Sequence, residues 1–304
     1  MAALDGHSAY LLGRNSRGEA ALLIKAAGTG RTVPIRLAGI EALFAIPCLI
    51  AQEGRPDRTQ TLTAITCLSR DQAVEAYFSS VIGILISVLG RSPDTTAVSG
   101  AVDHLVCFFQ KLRQPSKKSV VGLIGELLVI ATARDPSVAV DAWHRDPDER
   151  YDFAVGNLRL EVKAASTRIR VHQMSLEQAT PPDGTVGLLV SVFVEQSGGG
   201  TTLQMLLSTI EAMLPSHQTV LRLRTIVADT LGQDLVAAMG WSFDFQQGMA
   251  SAEVFDLRSI PAIRGPLPAE ISGVRFRTDL SGARRVGAKL LAAVSMESLG
   301  LLPR

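Results

Sequence analysis

The chain has 304 residues, 47% of them hydrophobic, and a formal net charge of +1. Length and apolar content allow two domains or one elaborated domain, and the near-neutral balance means that any polyanion would have to be met by local patches rather than bulk charge. Three widely spaced cysteines, Cys48, Cys67 and Cys107, with no Cys-x-x-Cys pair, argue against zinc and disulfide-framework classes and point to free thiols in a reducing cytosol.

Residues 8–70 read as β-rich, with a strand–turn–strand around Asn15–Gly18 and further strands in "TVPIRLAG" and "TQTLTAITCL". "IEALFAIPCLIAQ" is ambiguous, although Pro47 argues against a long helix. The pattern turns helical over 71–90, with Asp71 as N-cap, and again over 97–113; "QPSKK" at 114–118 then breaks the chain. These signals divide the sequence into an N-terminal β-rich accessory region, 1–95, and a second domain, 96–304. The opening "MAALDGHSAY" lacks the basic start and apolar run of a signal peptide. The longest apolar stretch, 81–90, is shorter than the roughly 20 residues that span a bilayer, so a cytoplasmic location without a membrane partner is expected.

A third helix is predicted through "SVVGLIGELLVIATA", apolar nearly all round and therefore buried. Glu126 is its exception, and a buried charge is costly unless paired or bound to metal. Gly122 and Gly125, each worth about 1 kcal/mol less than Ala in a helix, would let it approach another backbone closely. "VAVDAWH", 138–144, reads as a strand, "VGLLVSVFVE", 186–195, as a central strand, and "SGGG", 197–200, as a flexible loop. "TTLQMLLSTIEAML" and "VLRLRTIVADTLGQDLVAAM" read as helices. The order predicts an α/β fold, a mixed central β-sheet flanked by helices.

Between these elements, "YDFAVGNLRLEVK", 151–163, predicts a β-hairpin. Gly156-Asn157 suits a two-residue turn because both residues tolerate positive φ. That turn fixes the register: Val155 opposes Leu158, Phe153 opposes Leu160, and Asp152 opposes Glu161. Alternation places Tyr151, Phe153, Val155, Leu158, Leu160 and Val162 on one face and Arg150, Asp152, Ala154, Arg159, Glu161 and Lys163 on the other. Opposed carboxylates repel, since paired Cβ atoms lie about 4.5–5.5 Å apart. A divalent cation turns that repulsion into binding. Lys163, on the same face, could orient or deprotonate an attacking water or neutralise charge on phosphate.

A buried-helix Glu, then Asp, then Glu-x-Lys on successive strands resembles the PD-(D/E)XK nuclease superfamily. The strings "GLIGELLVI", "AWH", "YDF", "LEVK" and "HQMSLEQ" are similar to a bacterial family of PD-(D/E)XK proteins encoded among restriction–modification and phage-defence genes; they cover residues 122–178. The resemblance implies a restriction-endonuclease-like core. Asp152 and Glu161 match the metal-binding acids, Lys163 the catalytic lysine and Glu126 the helix acid. The Val162 carbonyl would complete the metal site, and Mg²⁺ would be the cofactor, with Mn²⁺ as a substitute. Tyr151 stands where the motif name has Pro. The resemblance also implies that Ser166, Arg168, Arg170, His172, Ser175 and Gln178 contact phosphate or base. Read from the residues alone, Ser175 and Gln178 form a capping box for a helix at Leu176, and Arg168 and Arg170 a solvated face.

The expected function is a Mg²⁺-dependent DNA endonuclease, the cleaving component of a restriction or defence system, with double-stranded DNA as substrate and a homodimer or other subunits as partners. The alternative is a non-catalytic DNA-binding or scaffolding subunit that keeps the fold; an RNA-directed nuclease is a third reading. From Leu257 to Arg304, eight basic residues stand against three acids, a balance that could serve phosphates or an ordinary surface.

Overall fold

The computed structural model describes residues 2–4, 7–28, 30–31, 33–37, 39–52, 54–144, 150–265 and 268–303; Arg304 of the basic tail lies outside them. The chain begins with β1 (Ala2–Leu4), β2 (His7–Arg14), β3 (Ala20–Ile24), β4 (Ile35–Leu37), β5 (Ile40–Gln52), β6 (Arg55–Cys67), α1 (Gln72–Leu89) and α2 (Thr95–Lys111). Then come α3 (Val120–Thr132), α4 (Pro136–Ala142), β7 (Phe153–Val155), β8 (Leu158–Ala165), β9 (Val171–Ser175), α5 (Leu176–Ala179) and β10 (Val186–Phe193). The remainder is β11 (Gln196–Thr202), α6 (Leu203–Met213), α7 (His217–Leu231), α8 (Leu235–Ala238), β12 (Ser242–Phe243), α9 (Phe245–Ser251), β13 (Glu253–Asp256), β14 (Arg275–Asp279) and α10 (Ala288–Leu291).

These elements form two units, residues 1–117 with 216–236, and residues 118–215 with 237–304. The sequence pattern places the break near 95; in the structure the chain leaves the first unit at 117–118, and α7 returns to it. The reason is apolar matching. α1 buries Phe78, Val81, Ile82 and Leu85, and α7 buries Val220, Leu223, Val227 and Leu231; the two pack together with α2. By length and composition alone α1 could cross a bilayer. The sheet of this unit is antiparallel, in the order β1-β2-β3-β6-β5-β4. The ambiguous segment is strand β5. Among the described residues β4 pairs with Ile40–Ala42, so Pro47 faces Thr61 on one side and interrupts no described ladder on the other.

The second unit is built on a four-stranded sheet in the order β13-β10-β8-β7. β8 and β10 are parallel, and both outer pairings are antiparallel. β10 is buried along its length up to Val192, as its unbroken apolar run requires. α3 lies against β8 so closely that a Cβ on Gly125 would stand 2.8 Å from the Ala164 Cβ, which explains the glycine.

Three local readings are corrected. Residues 138–144 are not a strand, because Asp135 caps and Pro136 opens α4, and these start signals override the β-branched valines. The "SGGG" run is part of β11, paired with β12; Gly200 leaves no room for a Cβ beside the Phe243 carbonyl. The long helix expected after residue 219 stops at Gly232, whose φ is +49°.

Candidate active site

The hairpin forms in the register that a two-residue turn demands, with Phe153, Ala154 and Val155 facing Leu160, Arg159 and Leu158. Gly156 takes φ +50°. Asn157 instead uses its side chain, accepting from Ser295 N and donating to Ala293 O, both at 2.9 Å. Asp152 sits just before β7, and its Oδ2 accepts the Val162 amide at 2.8 Å, which pins it to β8. The charged face is not left to solvent: Asp152 is 5% exposed and Glu161 2%.

Glu126 arrives from the middle of α3, 2% exposed. Trp143 fills core at the end of α4 and donates its indole N–H to Glu126 Oε2 at 2.7 Å; His144 Nε2 meets the same oxygen at 2.9 Å. His144 holds φ +42°, a conformation seldom adopted by a non-glycine residue, with its amide bonded to the Asp152 carbonyl. Lys118, just ahead of the Ser119 cap of α3, lays its ammonium between two acids, 2.7 Å from Glu126 Oε1 and 2.6 Å from Asp152 Oδ1. On the other side, Lys163 Nζ is 2.6 Å from Glu161 Oε1, and Gln178 donates to that oxygen at 2.7 Å. The second oxygen, Glu161 Oε2, is buried and has no hydrogen-bond partner among the described residues.

This arrangement is electrostatically costly. Burial first, then the Asp152 charge, pushes the Glu161 carboxyl up to about 8. Burial and then Glu126 raise Asp152 as well. Burial also works against the Glu126 charge, but the His144 hydrogen bond and the Lys118 ammonium outweigh it and hold that carboxyl below its ordinary value. Burial opposes the Lys118 charge too, and Asp152 with Glu126 outweighs it, so this ammonium titrates above the usual lysine range.

The groups open on a cleft of about 550 Å³, lined among others by Gly122, Gln173, Ser175 and Arg275. A larger cavity of about 690 Å³ is floored by Leu160, Leu188, Val190 and Val192 and, among the described residues, has Arg134 as its one titratable lining residue, whereas the acids and lysines of the cluster line the cleft. The cleft residues fit a divalent cation. One ligand atom each from Glu126, His144 and Asp152 lie within 4.8 Å of one another, and Glu161 Oε2 is a buried acceptor awaiting a partner.

The structure thus brings together Glu126, Asp152, Glu161 and Lys163, with the Val162 backbone beside them. Ser175 and Gln178 line the cleft while completing the capping box of α5. Ser166, Arg168, Arg170 and His172 lie outside the cleft lining. Ser166 is exposed, and Arg168 pairs with Glu195 at 2.6 Å. Arg170 donates to Ser191 O and Oγ, and buried His172 meets the same hydroxyl at 2.8 Å. Sequence reasoning missed Lys118 and His144. "QPSKK" reads as a chain break, and in "AWH" the tryptophan draws the eye as a core residue; a cation two helical turns ahead of a buried glutamate was the available signal.

A family model described as "Putative PD-(D/E)XK family member, (DUF4420)" matches residues 4–281 of the chain. No curated protein matches, and no solved structure matches.

Proposed function

This chain belongs to that PD-(D/E)XK family, and from this premise we propose that it is a Mg²⁺-dependent endonuclease hydrolysing phosphodiester bonds of double-stranded DNA, as the cleaving component of a restriction or phage-defence system. The observation that carries the reading is Glu161 Oε2, a buried carboxylate oxygen without a partner among the described residues, next to a second buried acid. A cluster kept only for structure satisfies both oxygens, whereas one kept for a cation leaves an oxygen to it.

Asp152 and Glu161 would hold the ion, with the Val162 carbonyl beside them and Glu126 behind. When bound, the ion polarises the phosphate and lowers the pKa of a bound water. Lys163, with a side chain 20% exposed on the cleft, presents an ammonium that orients the attacking water and stabilises charge developing on the phosphate. Gln178 holds Glu161 by Oε1 and so leaves Oε2 free. Arg275 on the cleft wall offers a guanidinium to the nucleic-acid backbone. Cutting both strands requires two such sites, hence a homodimer or partner subunits. Mn²⁺ would substitute for Mg²⁺.

The test is plasmid cleavage by the purified protein with Mg²⁺ or Mn²⁺. Lys163→Ala should lower the rate by on the order of 10²–10³-fold with an unchanged circular-dichroism spectrum. Undiminished metal-dependent cleavage by that variant overturns the assignment. A non-catalytic DNA-binding or scaffolding subunit is the second reading, and Lys118 favours it, because an internal ammonium already neutralises part of the acid cluster. Calorimetry decides between them: no Mn²⁺ uptake at millimolar concentration supports the scaffold.

A further inference from the structure

The acid cluster offers two distinct places for positive charge. One lies among Glu126, His144 and Asp152, whose ligand atoms gather within 4.8 Å. The other lies at Glu161 Oε2, the oxygen without a partner among the described residues. Only the first is filled by the chain itself. Lys118 Nζ sits 2.7 Å from Glu126 Oε1, 2.6 Å from Asp152 Oδ1 and 3.4 Å from His144 Nε2.

We propose that the Lys118 ammonium stands in for a second metal ion, so that the site takes a single divalent ion, at Asp152 and Glu161. The proposal rests on the nuclease reading above and specifies its metal stoichiometry.

Three arguments carry it. The first is steric: an ammonium in contact with both carboxylates occupies the point that a bridging ion would need, since an ion binds oxygens at about 2.0–2.1 Å and tolerates no cation between. The second is charge. Counted in the deprotonated form that an ion requires, three carboxylates against Lys118 and Lys163 leave the cluster one charge negative. One divalent ion takes it to one positive, a balance suited to an anionic phosphate. Two ions with Lys118 in place would take it to three positive, an excess that nothing else in the cluster offsets. The third is what the lysine replaces. An ammonium supplies a fixed point charge with three donors and needs no coordination geometry. It holds Glu126 and Asp152 in place without an ion, while Glu161, met by Lys163 and Gln178 at Oε1 alone, keeps Oε2 open to one. The Lys118 side chain is 35% exposed, so its amine reaches the cluster from the cleft and is not sealed in the core.

The measurement is the number of Mn²⁺ ions bound per chain, by calorimetry and by the electron paramagnetic resonance of free Mn²⁺, on the full-length protein and on Lys118→Met and Lys118→Arg. The expected result is one ion on the unaltered protein, two on Lys118→Met and one on Lys118→Arg, which keeps the charge. One ion on both the unaltered and Met proteins, or two on both, overturns the proposal and leaves the nuclease reading standing. No ion on either overturns both. The count on the unaltered protein stands alone should the Met variant fail to fold: two ions there suffice to overturn the assignment.

Discussion

Two neighbouring stretches of the second unit both place charged and polar side chains in or near its sheet, and they treat them in opposite ways. Around Glu126, Asp152 and Glu161, burial and then a neighbouring acid push one carboxyl up to about 8, and one oxygen has no partner among the described residues. Along 166–195 the two arginines and the buried histidine are paired off: Arg168 with Glu195, Arg170 with Ser191, Ser251 and Glu253, and His172 with Ser191. Protein stability favours the second arrangement. A fold that tolerates the first retains a cost that a bound cation would relieve, and such under-satisfied clusters are where function concentrates.

The comparison breaks most readily at Arg170. Its guanidinium lies over the Phe193 ring at 4.4 Å, and its side chain is 10% exposed. Burial pulls it below its ordinary value, against the opposing charge of Glu253. Arg170→Met should cost about 3 kcal/mol in urea unfolding, because Ser191 and Glu253 lose a buried partner. Mn²⁺ uptake should be unchanged. Intact stability with lost Mn²⁺ binding or cleavage would move Arg170 from scaffold to site.

The same contrast explains what could be read from the sequence. The hairpin was legible because turn chemistry and alternation fix its register, and Asp152, Glu161 and Lys163 follow from arithmetic. Glu126 was legible as a lone charge on an apolar helix. Lys118 and His144 were not, since both reach the cluster from chain ends of helices, where neither period nor register applies. Arg168, Arg170 and His172 were legible as polar residues but not as satisfied ones. Satisfaction depends on Ser191, Glu195, Ser251 and Glu253, which are distant in sequence.

His172 sharpens the comparison with a smaller effect. Burial, then the charge of Lys163, lowers its imidazole to about 4, so the folded protein keeps it neutral at a pH where the unfolded chain, near 6.5, is protonated. The unfolded state therefore binds more protons between pH 6.5 and 4. Stability present above 6.5 is lost as pH falls through that window and is level below it. His172→Gln should flatten this acid limb, on the order of 2 kcal/mol once residual solvation is allowed for. An unchanged stability–pH profile would show that His172 is not buried neutral.

Arg168 should do least. Its side chain is 67% exposed, its ion pair with Glu195 is a surface one, and such pairs contribute little. Arg168→Ala should leave the melting temperature unchanged within error, which by itself distinguishes nothing from an idle surface residue. Duplex binding in EDTA discriminates, because each phosphate that a side chain neutralises adds about 0.9 to the slope of log affinity against log salt. If every charge along 166–195 serves the fold, that slope is the same with and without Arg168. A shallower slope in the variant, by one phosphate's worth and at unchanged stability, would mean that the exposed end of this stretch meets the nucleic acid after all, and the division between satisfied scaffold and unsatisfied site would run between Arg168 and Arg170 rather than after Lys163.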